Sequence, residues 1–419
     1  MLTEKLVSFI VRKQVKKYFR LQPAVAGKIS LNRTPQAPLL LYLHIPFCEE
    51  LCTYCSFHRV LFQESIAREY FAALRQEIYM YKQANYNFQA AYIGGGTPTI
   101  LLDELAETIK LIRSVFAINE ISVETNPNHL DREKMQILQA AGIERLSVGV
   151  QSFNDDILKS IGRYDKYGSG KDIIPKIRDL QGWFKTVNID MIFNFPLQTE
   201  EMLKQDLVII RDLKVDQVTF YPLMIAATTR NDMERKIGIV NNKRGKKYFE
   251  MITAELQKEY RASTAWCFSK NDALIDEYVV NYDEYAGIGS GAFGYLNGTV
   301  YANLFDIPEY INQVKQENFP VVAKREFNKK SIMLYEFLMQ FFGQSLNLAY
   351  IRKKHGFWAT LYLYPIIFFF LVVRGLKSTG EDGGYIVRKP YYGVIMMREF
   401  FTAVNNFRDY CRAKVNNML

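Results

Sequence analysis

Cysteine and histidine are scarce in this sequence, at five and four among 419 residues. An odd cysteine count, with Cys267 and Cys411 isolated, argues against a disulfide framework. No apolar stretch with a small-residue cleavage site opens the chain, so the expectation is a cytoplasmic protein whose cysteines stay reduced. Long hydrophobic runs are missing too. The segment that invites a membrane reading, Phe357 to Val373, is uncharged over 17 residues. That reaches only the lower limit of about 17 to 25 for a span, and Pro365 interrupts it. It predicts two short buried elements of a C-terminal domain rather than an anchor, and no membrane contact is expected. Repeats and low-complexity tracts are absent as well.

What is present describes a folded protein of more than one layer, 49% apolar with its polar residues spread along the chain. The net charge of +9 suggests an anionic partner without choosing among nucleic acid, acidic lipid and a polycarboxylate substrate. Part of that charge sits on Lys5, Arg12, Lys13, Lys16, Lys17 and Arg20. These flank Val7, Val11, Val15 and Tyr18, a stripe that fits one helical face and predicts a helix docked on the main domain rather than on a membrane.

From Leu39 to about Ile225, six short runs rich in Val, Ile, Phe and Tyr alternate with longer charged segments of helical spacing, such as Ser65 to Lys82 and Thr199 to Leu213. Parallel neighbours need long return connections, so this alternation predicts a parallel α/β sheet. Six steps are too few for a closed eight-stranded barrel, which leaves a partial, open-sided one. Polar or flexible residues fall where the runs end: the cysteines after Pro46, Gly94 to Thr97, Glu124 to Pro127, Gln151, and Asp190 to Pro196. Sites in parallel α/β folds gather at those ends. Further on, Gly287, Gly289, Gly291 and Gly294 predict backbone pressed against a ligand or a neighbouring element. After Lys324 the composition turns aromatic and helical. The expected divisions are 1–38, a basic helical extension; 39–325, the barrel and its extension; and 326–419, a mostly helical C-terminal domain.

Three of the five cysteines, Cys48, Cys52 and Cys55, fall inside eight residues, in "PFCEELCTYCSF". A structural zinc site wants four protein ligands, and neither a second cysteine pair nor a His-x3-5-His completes one. An iron–sulfur cube held by three thiolates would leave one iron open to a substrate. Zinc and a redox sensor also remain open on the spacing alone. His44 reads as a core or supporting residue. His58, three residues past Cys55, is more often structural or solvated in such a loop, though it could reach the mouth of the site. Cys267 and Cys411 read as buried thiols.

The C-x3-C-x2-C spacing, with Tyr54 before its last cysteine, resembles the radical S-adenosylmethionine (radical SAM) superfamily. "YLHIPFC", "GGGTPT", "ETNP", "RLSVGVQSFN", "IGR", "NIDMIFNFPLQT" and "GIGSGAF", in this order, are similar to the oxygen-independent coproporphyrinogen III oxidase family. The likeness covers roughly Leu39 to Gly298. It implies a partial (β/α)6 TIM-like barrel with a helical, winged-helix-like C-terminal domain. It implies a 4Fe-4S cluster on Cys48, Cys52 and Cys55, whose open iron takes SAM and whose electron splits it to a 5′-deoxyadenosyl radical. Tyr42, Gly94, Gly95, Gly96, Glu124 and Phe293 would adjoin that SAM. A possible second SAM would meet Gln151, Arg163 and Asp190, with Tyr54 and Gly96-Thr97 lining it. Without the motif, Tyr42 is equally a core residue and Glu124 a solvated loop carboxylate. The implied partners are a small-molecule substrate, a tetrapyrrole or heme, and a low-potential electron donor such as flavodoxin or ferredoxin, with no nucleic acid.

The sequence also departs from that pattern. The oxidases usually carry another cysteine two residues after the third, where this chain has Phe57; HemW-type heme chaperones usually carry a histidine where it has Phe293. The resemblance implies a radical SAM enzyme acting on a tetrapyrrole, either decarboxylating its propionates oxidatively or transferring a methyl-derived group, with a HemW-type heme chaperone or a two-SAM methyltransferase or cyclopropane-forming enzyme as alternatives. A chaperone would need an axial ligand, for which His58, His129, His355 or a cysteine outside the cluster could serve.

Overall fold

The computed structural model describes residues 2–24, 39–225, 230–270, 278–380 and 383–416, beginning with helix α1 (Leu2–Tyr18). The six apolar runs become parallel strands lying side by side in chain order: β1 (Leu39–Ile45), β2 (Ala90–Gly95), β3 (Glu120–Thr125), β4 (Arg145–Gln151), β5 (Thr186–Phe193) and β6 (Gln217–Pro222). β1 is buried at every residue, as a strand covered on both faces must be. Leu39, Leu41, Leu43 and Ile45 pack into the cluster that includes Tyr70, Phe71, Leu74 and Ile78 of helix α2 (Glu64–Gln83). Leu40 and Tyr42 point the other way, into a separate group with Tyr92. Side chains alternate along a strand, so the face opposite the helices is free to build a site.

The sheet stays open, and it is wider than six strands. On the β6 side it continues into antiparallel β7 (Cys267–Ser269). On the β1 side a seventh parallel strand, β8 (Glu284–Ile288), sets Gly287 opposite Tyr42. Antiparallel β9 (Phe293–Leu296), β10 (Thr299–Asn303) and β11 (Val321–Glu326) follow. The glycine-rich segment thus belongs to the sheet, and its glycines admit neighbouring elements. A Cβ on Gly291 would stand 2.4 Å from the His58 ring, and one on Gly294 2.1 Å from that of Tyr301. Buried Glu77 of α2 ties this segment down, accepting from the Gly289 amide at 2.8 Å and the Tyr310 hydroxyl at 2.6 Å.

Helix α3 (Glu200–Leu213) buries Asp206, which accepts from Ser152 Oγ and the Phe153 amide, both at 2.8 Å. Burial pushes this carboxyl up from 3.8 to about 7, against the pull of those two donors. Across that window the folded chain keeps a proton that the unfolded chain has released, so this group's stabilisation, complete below pH 3.8, is lost as pH rises to about 7. Asp206→Asn should therefore gain on the wild type by about 1.4 kcal/mol per pH unit between pH 4 and 7. Urea unfolding of both proteins at several pH values checks it, and a constant difference contradicts it.

After β11 come helix α4 (Lys329–Phe342), a three-stranded antiparallel sheet, two short helices α5 (Phe357–Thr360) and α6 (Tyr364–Val372), and the long terminal helix α7 (Tyr391–Asn416). As the valine stripe predicts, α1 docks. Val7, Val15 and Tyr18 are buried, while Ser8 Oγ and Arg12 Nε donate to Glu399 of α7 at 2.6 and 2.8 Å.

Two expectations need correction. Cys267 is buried, but Cys411 is only half-buried. The uncharged segment Phe357 to Val373 does form two short helices, but they are not buried. Leu363, Ile367 and Phe370 face inward, whereas Trp358 is 80% and Phe368 68% exposed. The segment packs one stripe against α4, through Phe370 on Phe341 with ring centroids 4.7 Å apart, and leaves the rest outside.

Candidate active site

The loop after β1 is pinned at both ends. Phe47 and Cys48 pair in parallel with Val60 and Leu61, so residues 49–59 make a closed excursion above the strand ends. Cys48 is buried at its root, and Cys52 and Cys55 are half-buried farther out. Burial, reinforced by Cys55, pushes the Cys48 thiol up to about 11, although Thr97 Oγ1 donates to its sulfur at 3.7 Å. A Cβ on Gly96 would stand 2.6 Å from the Phe47 carbonyl oxygen and 3.0 Å from Cys48 Sγ, so only glycine lets this loop settle on β2.

All three cysteines open onto one cavity of about 320 Å³. Its lining includes Tyr42 from the middle of β1 and the strand-end residues named from the sequence, Gly95, Gly96, Glu124, Gln151 and Asp190. Tyr54, Arg163 and Phe293 also line it. Gly94 and Thr97 do not; they stand behind. Gly94 leaves room for the Glu124 carboxylate, which a Cβ there would approach to 2.7 Å, and Thr97 links Cys48 to Asn126, whose Nδ2 donates to Thr97 Oγ1 at 3.0 Å.

The polar floor is oriented by hydrogen bonds within it. Glu124 accepts from Tyr92 OH at 2.9 Å and from the Gly95 amide at 3.1 Å. Asp190 accepts from Ser147 Oγ at 3.0 Å and Asn188 Nδ2 at 2.9 Å. Arg163 is the junction between floor and cysteine loop. Its guanidinium donates to Asn126 Oδ1 at 3.0 Å, Tyr54 OH at 3.4 Å and Cys52 Sγ at 3.6 Å, and stacks 4.0 Å from the Tyr167 ring centroid. A carboxylate fixed by donors, a second one a few strands away and a buried guanidinium form a set suited to a zwitterion with a ribose.

The histidines stand apart, and none of the four lines the cavity. His44 meets Tyr42 OH at 2.9 Å and the His58 carbonyl at 2.8 Å, and burial holds it neutral, down to about 3. His58 lies against Ser290 and Phe305, with burial also lowering it. His129 meets Thr99 and Glu49, and His355 meets Glu336. Among the described residues no three His, Cys, Asp or Glu side chains converge closely enough to hold a single metal ion. A zinc ion draws its ligands to about 2.3 Å from one point. An iron–sulfur cube binds each cysteine through a different iron, so three thiols spread around one mouth suit it better.

Sequence reasoning missed the opposite wall. Tyr295 and Val300 of the β9–β10 hairpin, Tyr335 and Met339 of α4, and Met397, Phe400 and Val404 of α7 supply an apolar surface to the cavity that the cysteines share. Arg408 of α7 reaches over it, its guanidinium 5.0 Å from the Phe57 ring centroid and 5.3 Å from that of Phe293. Arg59 lies on the cysteine side, and Arg412 is close by; burial, with Arg59 and Arg408 adding to it, pulls the Arg412 guanidinium down to about 10. No local signal marks Arg408, which acts from 356 residues beyond Cys52. Asn126 was within reach of sequence reasoning, since it lies inside the "ETNP" motif.

Residues 42–207 match the family model described as Radical SAM superfamily. The heme chaperone HemW of Bacillus subtilis is 29% identical over 386 residues, covering 86% of this chain and 98% of that protein. HemW of Lactococcus lactis is 30% identical over 312 residues, 71% of this chain and 81% of that one. Among solved structures, coproporphyrinogen III oxidase (HemN) of Escherichia coli, described as a radical SAM enzyme, superposes with a TM-score of 0.73 at 22% identity. The match covers 92% of this chain and 97% of that one, and it shows a shared fold.

Proposed function

Because this chain belongs to the radical SAM superfamily, in the family of the HemW heme chaperones and the oxygen-independent coproporphyrinogen III oxidases, we propose that it binds a 4Fe-4S cluster and SAM and acts on a tetrapyrrole in the adjoining cavity. One observation carries this reading. The cysteine loop, the polar strand ends and an apolar helical wall with the buried guanidinium of Arg408 beside it share a single cavity. A tetrapyrrole is a flat apolar body with carboxylate arms, and that wall and that guanidinium complement its two parts.

Cys48, Cys52 and Cys55 would hold the cluster, leaving one iron without a protein ligand. Glu124, with both oxygens already oriented, would receive the ammonium of SAM, and Arg163 is of the type that grips a carboxylate. Asp190 and Gln151 would take the ribose or a second SAM; Tyr42, Tyr54, Gly95, Gly96 and Phe293 shape the walls. When bound, cluster and SAM supply hydrogen-atom abstraction. The chain's own part is to position the substrate, exclude water with Tyr335, Met339, Met397 and Phe400, and hold carboxylate arms near Arg408 and Arg59.

Heme carriage is the second reading. Similarity along 98% of the Bacillus HemW favours it. The cavity's lack of histidine and Phe293 at the glycine-rich segment weigh against it.

Anaerobic incubation with SAM, a reductant and either coproporphyrinogen or heme, followed by mass spectrometry, separates the readings. The oxidative reading expects 5′-deoxyadenosine and decarboxylated porphyrinogen together. Cleavage of SAM without porphyrinogen turnover sinks it, S-adenosylhomocysteine points to methyl transfer, and a Soret shift with heme points to carriage. Arg408→Glu should weaken tetrapyrrole binding at least about tenfold, by removing one charge-assisted contact and adding a repulsion. Fluorescence quenching titration measures it, and unchanged affinity removes Arg408 from the site.

A further inference from the structure

We propose that the face formed by α5, the 3-10 turn Leu361–Leu363 and α6 rests on the surface of an anionic lipid bilayer. Apolar side chains stand out from it as a group: Trp358 is 80% exposed, Phe368 68%, Val372 64%, Tyr362 58% and Phe357 51%. Exposed apolar residues are normally scattered, and a contiguous patch marks an interaction surface. This one is held rigidly. Leu363, Ile367 and Phe370 anchor it, with the Phe370 ring stacked on Phe337, tilted against Phe341 and edge-on to Tyr392.

Charge identifies the occupant. From Asn347 to Gly380 the chain contains no acidic residue, while Arg352 and Lys353 precede the patch and Arg374 and Lys377 follow it; Lys354 is instead paired with Asp283 and Glu336, at 2.8 and 2.7 Å. Lys330 adds its ammonium 4.4 Å from the Tyr362 ring centroid. A second copy of this chain would bring one cationic rim against another, a repulsive arrangement. An anionic bilayer accepts both parts, basic side chains among its head groups and Trp, Tyr and Phe at the boundary with its acyl chains. Four- and nine-residue helices are far too short to span. Among the described residues no helix is long and apolar enough to cross a membrane, so the contact is interfacial.

The adjoining helix has the same character. The hydroxyl of Tyr392, whose ring meets Phe370 edge-on, donates to Thr3 at the start of α1, 3.1 Å away. The outer face of α1 carries exposed Leu2, Leu6, Phe9 and Ile10 among Lys5, Lys13 and Lys16. The helix is therefore docked by one side and apolar and basic on the other.

Flotation of the full chain with vesicles tests this. The protein should rise with phosphatidylcholine–phosphatidylglycerol vesicles, far less with phosphatidylcholine alone, and be partly released by salt. Trp358→Ser/Phe368→Ser should lower partitioning about tenfold or more, through the lost transfer of two large side chains from water. Both residues are exposed, so the variant's melting temperature and iron loading should match the wild type. Failure of the wild type to float, or equal flotation of the variant, overturns the proposal. So does a dimer that the double substitution dissociates without any vesicle binding, which would assign the face to a second copy. None of these outcomes depends on what fills the cavity.

Discussion

Cys52→Ala protein, reconstituted anaerobically with iron and sulfide, is expected to stay colourless, with bound iron falling from about four per chain to near zero. The side chain is half-buried and contributes little packing, so before reconstitution the cluster-free variant and wild type should melt at nearly the same temperature. What the substitution removes is one of three thiols that face one cavity, with no other Cys or His side chain on that cavity to replace it. Cys48→Ala and Cys55→Ala should behave alike, whereas Cys411→Ala should keep full iron content. Absorbance near the charge-transfer bands, iron and sulfide assays, and electron paramagnetic resonance of the reduced protein check the series. Brown colour retained by Cys52→Ala contradicts the assignment.

Arg163→Lys should cost at least tenfold in SAM affinity while cluster content survives. The guanidinium touches Asn126, Tyr54 and Cys52 through separate N–H groups and lies flat on Tyr167. A lysine ammonium keeps the charge but has neither the fork nor the flat face, so it serves one or two of these partners. Asn126 Oδ1 would then lose its donor in a buried setting, a penalty of about 1–3 kcal/mol that lowers the melting temperature too. Equilibrium dialysis with SAM and a thermal melt read the two effects separately. Unchanged SAM affinity with a lowered melting temperature would make Arg163 a brace of the cysteine loop alone.

The strand ends explain why so much of this cavity was legible. Tyr42, Glu124 and Asp190 come from β1, β3 and β5, 82 and 66 residues apart in turn. In-register parallel pairing nevertheless puts strand ends together wherever strand follows strand in chain order. The cysteines needed even less, being neighbours already. Gly94 and Thr97 fell short of the lining because the sequence shows that they adjoin the site, not which way the chain turns there. The glycine-rich segment left two readings open for the same cause. Only coordinates reveal that its glycines face Tyr301 and His58.

For the C-terminal part the limits were of another kind. Seventeen residues without a charge predict burial, since composition measures preference for leaving water, not access to it. Whether Trp358 and Phe368 find cover depends on how many neighbours pack against α5 and α6, and α4 covers a single stripe.

The order and spacing of residues alone determined the open parallel sheet, the cluster-like cysteine triplet and the family, because each rests on local periodicity or on motifs short enough to read along the chain. Tertiary structure alone decided that α4 and α7 close the cavity, that Arg408 lines it and that an aromatic face stays uncovered. The first two depend on contacts between segments hundreds of residues apart and the third on how many neighbours pack over α5 and α6, and no periodicity in the sequence carries a record of either.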